Sequence, residues 1–175
     1  YLFLAIFICL MGYMVYFQTV KSEDFINSPY NSRQDTFADR VVRGKIMSAD
    51  GKVLAETVVD AAGNETRKYP YGNMYAHVVG FSTNGKSGIE SNMNFNLLRS
   101  HSFVLERMFN EIKDEKSMGD NVVTTLDSTL QETAYQALGN YDGAVVVMEP
   151  STGKVLAMVS KPDFDPNTIA ADWDS

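Results

Sequence analysis

Histidine and cysteine are nearly missing from this chain of 175 residues, with two of the first and one of the second. A lone Cys9 cannot form a disulfide within the chain, so thiol usage marks neither an oxidising nor a reducing compartment. His77 and His101 fall in no His-Glu-x-x-His or Cys/His spacing, so neither a metal nor a cofactor is expected. Positive charge is also short. Fifteen Lys and Arg stand against 22 Asp and Glu, a net charge of −7, and no basic stripe relieves it. Nucleic acid is therefore not an expected partner. No internal repeat and no low-complexity segment occurs, and the length suffices for one domain or two small ones with a real core.

Apolar residues, by contrast, crowd the first segment. YLFLAIFICLMGYMVYF, residues 1–17, carries no charge. A spanning helix needs about 20 apolar residues, within a working range of about 17–25. The run is apolar on every face, where a core helix would show one stripe, and Tyr13, Tyr16 and Phe17 gather at one end as at a membrane interface. A cleavable leader needs small residues at its cut, and Met14-Val15-Tyr16-Phe17-Gln18 offers none. An uncleaved anchor in the lipid bilayer over residues 1–20 is expected, with Cys9 as apolar filler. The first residue is not Met, so the helix is expected to begin upstream, and the flank needed to read orientation from positive charge is missing.

Residues 21–39 are polar and read as a helix end followed by a loop. VVRGKIMSADGKVLAETVVD, residues 41–60, places two β-branched runs around Asp50-Gly51, a hairpin signal because both residues tolerate positive φ. A second turn over residues 61–64 leads to a third strand that Pro70 should end. Short helices are predicted over residues 72–81 and 89–98, with a Gly/Ser/Asn loop between them. Residues 101–116 form an amphipathic pattern in which Leu105, Met108, Phe109 and Ile112 share a face. A strand over residues 121–126 precedes a helix capped by Asp127 or Ser128, with a capping box from Ser128 to Gln131. Its buried stripe is expected to be Leu130, Ala134, Ala137 and Leu138, and Gly139-Asn140 should stop it. GAVVVMEPSTGKVLAMVS, residues 143–160, reads as a hairpin apolar on both faces and so as an inner part of a larger sheet. Residues 161–175 are expected to be an extended loop.

Three fragments mimic a serine acyl-transferase: Ser151-Thr152-Gly153-Lys154, Ser82-Thr83-Asn84 and Lys86-Ser87-Gly88. A working Ser-x-x-Lys places serine and lysine on one helix face, so that the amine reaches the hydroxyl. Here Pro150 precedes the pair, Gly153 splits it and β-branched runs flank it, which predicts a hairpin tip. The other two fragments are only two residues apart, too close to converge from separate elements. No catalytic residue is expected in this chain.

Four stretches taken in order resemble class B penicillin-binding proteins, the monofunctional transpeptidases that crosslink peptidoglycan. Arg43-Gly44-Lys45-Ile46 with Asp50-Gly51-Lys52-Val53-Leu54-Ala55 is similar to that family's first signature, although Ser48-Ala49 departs from its usual Asp-Arg. YPYGNMYAHVVGF with Gly88-Ile89-Glu90 resembles the second, and VVTTLDSTLQETAYQAL, with Asp127, the third. GAVVVMEPSTGKVLAMVSKPDFDPN, with Gly153 at its turn, looks like the start of the transpeptidase domain.

The resemblance implies an α+β architecture. Residues 1–20 would be the anchor, 21–120 a pedestal of the dimerisation type, and 121–175 the incomplete start of a transpeptidase domain. It implies that the family's catalytic Ser-x-x-Lys lies beyond Ser175, so that a peptidoglycan stem peptide is met only through a missing catalytic domain. The bulk of the chain would face outward from a plasma membrane in a single-pass arrangement. Expected partners are a SEDS-family glycan polymerase and other cell-wall synthesis proteins. Arg43 and Glu90 are expected to pair, and Gly44, Gly51 and Gly88 to serve turns or bulges of unusual φ. The rival readings are a complete non-catalytic membrane adaptor, a secreted binding domain and an autonomous Ser-Lys hydrolase.

Overall fold

The computed structural model describes residues 1–22, 41–83, 85–100 and 116–172. Most of the polar stretch expected at residues 21–39 and of the amphipathic helix expected at residues 101–116 lies outside the described residues.

The apolar N-terminal run forms α1 (Leu2–Tyr16), continued by a wider π turn over Phe17–Lys21. Leu2–Lys21 is long and apolar enough to cross a membrane, and none of it is buried against the rest of the chain. At about 1.5 Å per residue it reaches roughly the 30 Å of a hydrocarbon core. Two hydroxyls at its C-terminal end bond back to backbone: Thr19 Oγ1 donates to the Val15 carbonyl at 2.8 Å and Ser22 Oγ to that of Gln18 at 2.7 Å.

Four short strands follow, β1 (Val41–Val42), β2 (Ile46–Met47), β3 (Val53–Val59) and β4 (Glu65–Lys68). The turn at Asp50-Gly51 joins β2 to β3 as expected; Ser48 N–H donates to Lys52 O at 2.9 Å and Gly51 sits at φ +83°. The β-branched run over residues 41–60 is not one hairpin arm, because the chain leaves the sheet between β1 and β2. There Gly44 N–H turns to the Leu97 carbonyl at 2.9 Å. A 3-10 turn over Gly72–Tyr75 runs into α2 (Ala76–Val79), then come α3 (Gly88–Asn92) and α4 (Asn94–Leu98). The single helix expected over residues 89–98 is thus broken at Met93, whose φ −104° and ψ 16° lie outside the helical well.

The later strands β5 (Ser117–Met118) and β6 (Val122–Val123) return to this region. β5 pairs in parallel with β1, and β6 adds in parallel to β2, giving the order β4-β3-β2-β6. Ile46, Leu54 and Ala55 from the sheet close on Tyr69, Tyr75, Val79, Leu97 and Leu126 to form the first core.

Next comes α5 (Ser128–Leu138), then the hairpin β7 (Gly143–Met148) and β8 (Val155–Lys161). Asp127 caps α5, its Oδ1 accepting from Leu130 N–H at 2.9 Å, and Gly139 ends it. Two expectations about α5 fail. Gln131 makes no capping box; it is fully buried and spent on distant backbone. The buried face is Ser128, Gln131 and Ala134, while Leu130 and Ala137 are exposed. Anchoring of Ser128 and Gln131 to other segments sets the helix rotation, and the apolar count does not.

Ala134, Ala157 and Val159 make a small second core, with Tyr135, Leu138, Val145 and Val147 packed against it. Among the described residues the hairpin stands as a two-stranded sheet, with Val146 and Met148 each 52% exposed. The extended loop expected at the end contains a turn and a short helix, α6 (Ile169–Asp172). Asp165 creates the turn: its Oδ1 accepts from Asn167 N–H at 2.9 Å and its carbonyl from Thr168 N–H at 3.1 Å.

Candidate functional site

The residues of the first motifs meet in one buried cluster. Arg43 leaves the sheet after β1, Arg67 points inward from β4, and Glu90 sits in the first turn of α3. Arg43 Nε donates to Glu90 Oε2 at 2.6 Å, the pair expected from the sequence, and Arg43 Nη2 donates to the Glu90 carbonyl at 2.6 Å. Arg67 Nε takes the other carboxylate oxygen, Oε1, at 2.8 Å. Asn94 Oδ1 accepts from Arg43 Nη1, and Arg67 Nη1 donates to Gly44 O at 2.7 Å and Thr57 Oγ1 at 3.1 Å.

Glu90 has no solvent exposure, and both guanidinium side chains are at or below 10%. Burial draws the pKa of Arg43 down while the Glu90 carboxylate draws it back up. The guanidinium stays charged at any working pH. Nearby, burial and then the Glu90 charge push the Tyr69 phenol up to about 12. The cluster therefore holds two positive charges on one carboxylate and ties β1, β4, α3 and α4 together. Its one carboxylate is taken up by the two guanidinium groups.

Arg67 and Asn94 escaped the sequence reading. Glu65-Thr66-Arg67-Lys68 looks like an exposed polar edge strand, and only strand alternation, which turns Arg67 to the face opposite Thr66 and Lys68, hinted otherwise.

The expected glycines divide by cause. Gly88, at φ +57°, opens α3 where any side chain would be strained, and a Cβ there would lie 2.7 Å from Val78 O. Gly44 corrects the reading of unusual φ: its backbone is ordinary, but a Cβ would fall 2.0 Å from the Asp120 carbonyl oxygen. Gly51, at φ +83°, and Gly153, at φ +73°, occupy the β2–β3 and β7–β8 turns.

A second group of polar contacts joins the first core to the hairpin. Thr125 Oγ1 donates to Val155 O at 2.6 Å and Asp127 N–H to Leu156 O at 2.8 Å. Asp50, at the first hairpin turn, accepts from Ser128 Oγ. Hydrogen bonds from Ser128 and Ser48 hold the Asp50 carboxyl down at about 2. Tyr135 OH donates to Asp163 Oδ2 at 2.6 Å, which pushes the phenol up to about 12.

Ser151 lies exposed in the turn between β7 and β8, where Gly153 N–H donates to Glu149 O at 2.8 Å. Lys154 stands past that turn, so no helix face aligns the two. Ser82, Lys86 and Ser87 lie in the loop before α3 and Gly88 is the first residue of that helix, with Asn84 outside the described residues.

With this geometry in place, family models match two parts of the chain. Residues 43–122 match the penicillin binding protein A dimerisation domain and residues 143–175 the penicillin binding protein transpeptidase domain.

The chain belongs to the penicillin-binding proteins.

Peptidoglycan D,D-transpeptidase PbpA of Mycolicibacterium smegmatis is 38% identical over 143 residues, which cover 73% of this chain and 28% of the relative. The solved penicillin-binding protein A of Mycobacterium tuberculosis superposes with a TM-score of 0.65 at 32% identity, covering 75% of this chain and 34% of that one. A D,D-transpeptidase domain structure from Eggerthella lenta gives 0.62 at 37% identity, over 77% of this chain and 29% of that one. The chain spans less than a third of the length of the curated relatives it matches. The buried Arg43–Glu90–Arg67 cluster lies within the dimerisation-type match, Ser151 and Gly153 lie within the transpeptidase match, and Asp127 falls between the two.

Proposed function

We propose that this chain is the anchoring and positioning part of a peptidoglycan transpeptidase and performs no acyl transfer itself. Residues 1–20 hold it in a plasma membrane by a single pass. Residues 21–120 act as the pedestal, outside the cytoplasm, and residues 121–175 begin the catalytic domain. The observation that carries this reading is the docking of the dimerisation-type core directly on the start of the transpeptidase fold. Asp50 holds the N-terminus of α5, and Asp127 and Thr125 hold the edge of β8. A pedestal that only tethered its neighbour would need no such contact.

The substrate of the complete enzyme is a peptidoglycan stem peptide, which this chain meets only through a catalytic domain. A SEDS-family glycan polymerase is the proposed partner in the membrane, approached through the exposed helix, along with other cell-wall synthesis proteins. No metal or cofactor is invoked.

The test is to insert the chain into bacterial membranes, add protease from outside, and treat a second sample with a fluorescent penicillin. The expected result is outside digestion of residues beyond the anchor and no covalent penicillin label. Cytoplasmic protection of residues 41–172, or a mass gain on Ser151, overturns the reading.

A further inference from the structure

Two side-chain carboxamides hold the two sides of the junction in the same way. Gln131, buried on α5, accepts from Met158 N–H through Oε1 at 2.8 Å and returns Nε2 to Met158 O at 2.8 Å. The same Nε2 also reaches Met74 O, in the 3-10 turn of the first core, at 2.8 Å. Asn167, beyond the hairpin, treats Tyr69 likewise: Oδ1 accepts from Tyr69 N–H at 3.0 Å and Nδ2 donates to Tyr69 O at 3.1 Å. Each amide offers one acceptor and one donor to the N–H and C=O of a single residue, as a neighbouring strand would.

The grips point in opposite directions along the chain. Gln131 precedes the hairpin and holds β8; Asn167 follows the hairpin and holds the residue after β4. Between them Asn73 Nδ2 donates to Asp163 Oδ1 at 3.0 Å, and His77 Nε2 lies 2.9 Å from Pro162 O. The rings of His77 and Phe81 stand edge-on to Phe164 at 5.1 and 6.0 Å. The segment from residue 69 to 81 is thus clasped by both flanks of the hairpin.

We propose that Gln131 and Asn167 are positioning residues that lock the β7–β8 hairpin and residues 69–79 into one mechanical unit. The proposal rests on the pedestal reading and names the coupling within it. On the α5 side the contacts lie out of reach of water. Gln131 is dry, and its loss would strand one N–H and two carbonyls. Because both ends clasp the same segment, loosening one end raises the opening of the other. Motion of the anchored core is then carried to the hairpin without slack.

Amide hydrogen exchange measured by NMR on the whole chain in lipid nanodiscs decides the matter. Asn167 is exposed and outside the second core, so Asn167→Ala removes the Tyr69 grip with the hairpin core intact. Exchange is expected to rise about tenfold at Tyr69 and also at Met158, which shares no bond with Asn167, while Gly44 and Gly119 in the first core hold. Gln131→Glu keeps the acceptor for Met158 N–H and loses the donor, and is expected to speed exchange at the same two amides. Should that variant unfold the hairpin, Asn167→Ala still decides. A rise confined to Tyr69, or none, makes the two grips independent local contacts and overturns the proposal. That outcome would leave the membrane orientation and the lack of penicillin labelling untouched, so the two readings fail separately.

Discussion

The first core and the hairpin unit are held together by different means. The first core buries eight hydrophobic side chains and fastens its edges with Arg43, Glu90 and Arg67. The hairpin unit buries three, two of them alanine, and relies on neutral amides and on α5 for the rest. A buried ionic cluster is not by itself a large stabiliser, since desolvation offsets most of the attraction. It is severe toward loss of any member, and so it enforces one arrangement of β1, β4, α3 and α4. The hairpin has no such constraint of its own, and its position is set by what it docks against.

The largest expected effect is on the first core. Glu90→Ala leaves two buried guanidinium groups without their carboxylate, at a cost of about 3–5 kcal/mol. Urea unfolding of the chain measures it, and a loss below about 1 kcal/mol would erase the distinction drawn between the two regions. Because the cluster is buried, this loss should change little with ionic strength. Next comes Gly44→Ala, whose methyl carbon meets Asp120 O at 2.0 Å. Backbone must move, which is expected to cost about 1–3 kcal/mol; an unchanged midpoint would show that the approach of β1 to residues 119–120 is slack.

Asp127→Ala tests the hairpin side. It removes the cap on Leu130 N–H and is expected to cost about 1 kcal/mol. Limited proteolysis should find the resulting loosening in α5, the hairpin and residues 69–79 before β1, β2 and β6; simultaneous cleavage throughout would show that the two regions unfold as one.

The smallest effect is with pH. Asp50 titrates at about 2 when folded, below the ordinary aspartate value of about 3.9. Its contribution is therefore complete above about pH 4 and is lost as pH falls through about 2. The carboxylate is exposed, so the change is small and screened by salt. Asp50→Asn should flatten this acid limb in a thermal-melt series, and a limb of the same depth would assign it to other carboxylates.

Local signals in the sequence were read well where one short stretch contains all the partners. The Asp50-Gly51 turn forms with Gly51 alone at positive φ, and Asp127 caps the helix that follows it. Ser151 lies in the turn its neighbours Pro150 and Gly153 predict. Legibility ended where partners are distant. Gln131 had the spacing of a capping box, but its amide is used by Met74 and Met158, 57 and 27 residues away. Asn167, in the segment expected to be an extended loop, bonds Tyr69, 98 residues away. Leu130 has the spacing of a core residue and is exposed, because the anchors at Ser128 and Gln131 turn the helix.

The long apolar helix, the turns, the cap and the family pattern follow from the sequence alone, since each depends on residues that are neighbours along the chain. The packed fold is needed to see that Arg67 joins Arg43 on Glu90, that Gly44 is needed for room and not for φ, and that two carboxamides pair with the backbone of Tyr69 and Met158. Those outcomes depend on which buried polar groups lack a partner once the chain has closed, and that is a property of the packed whole.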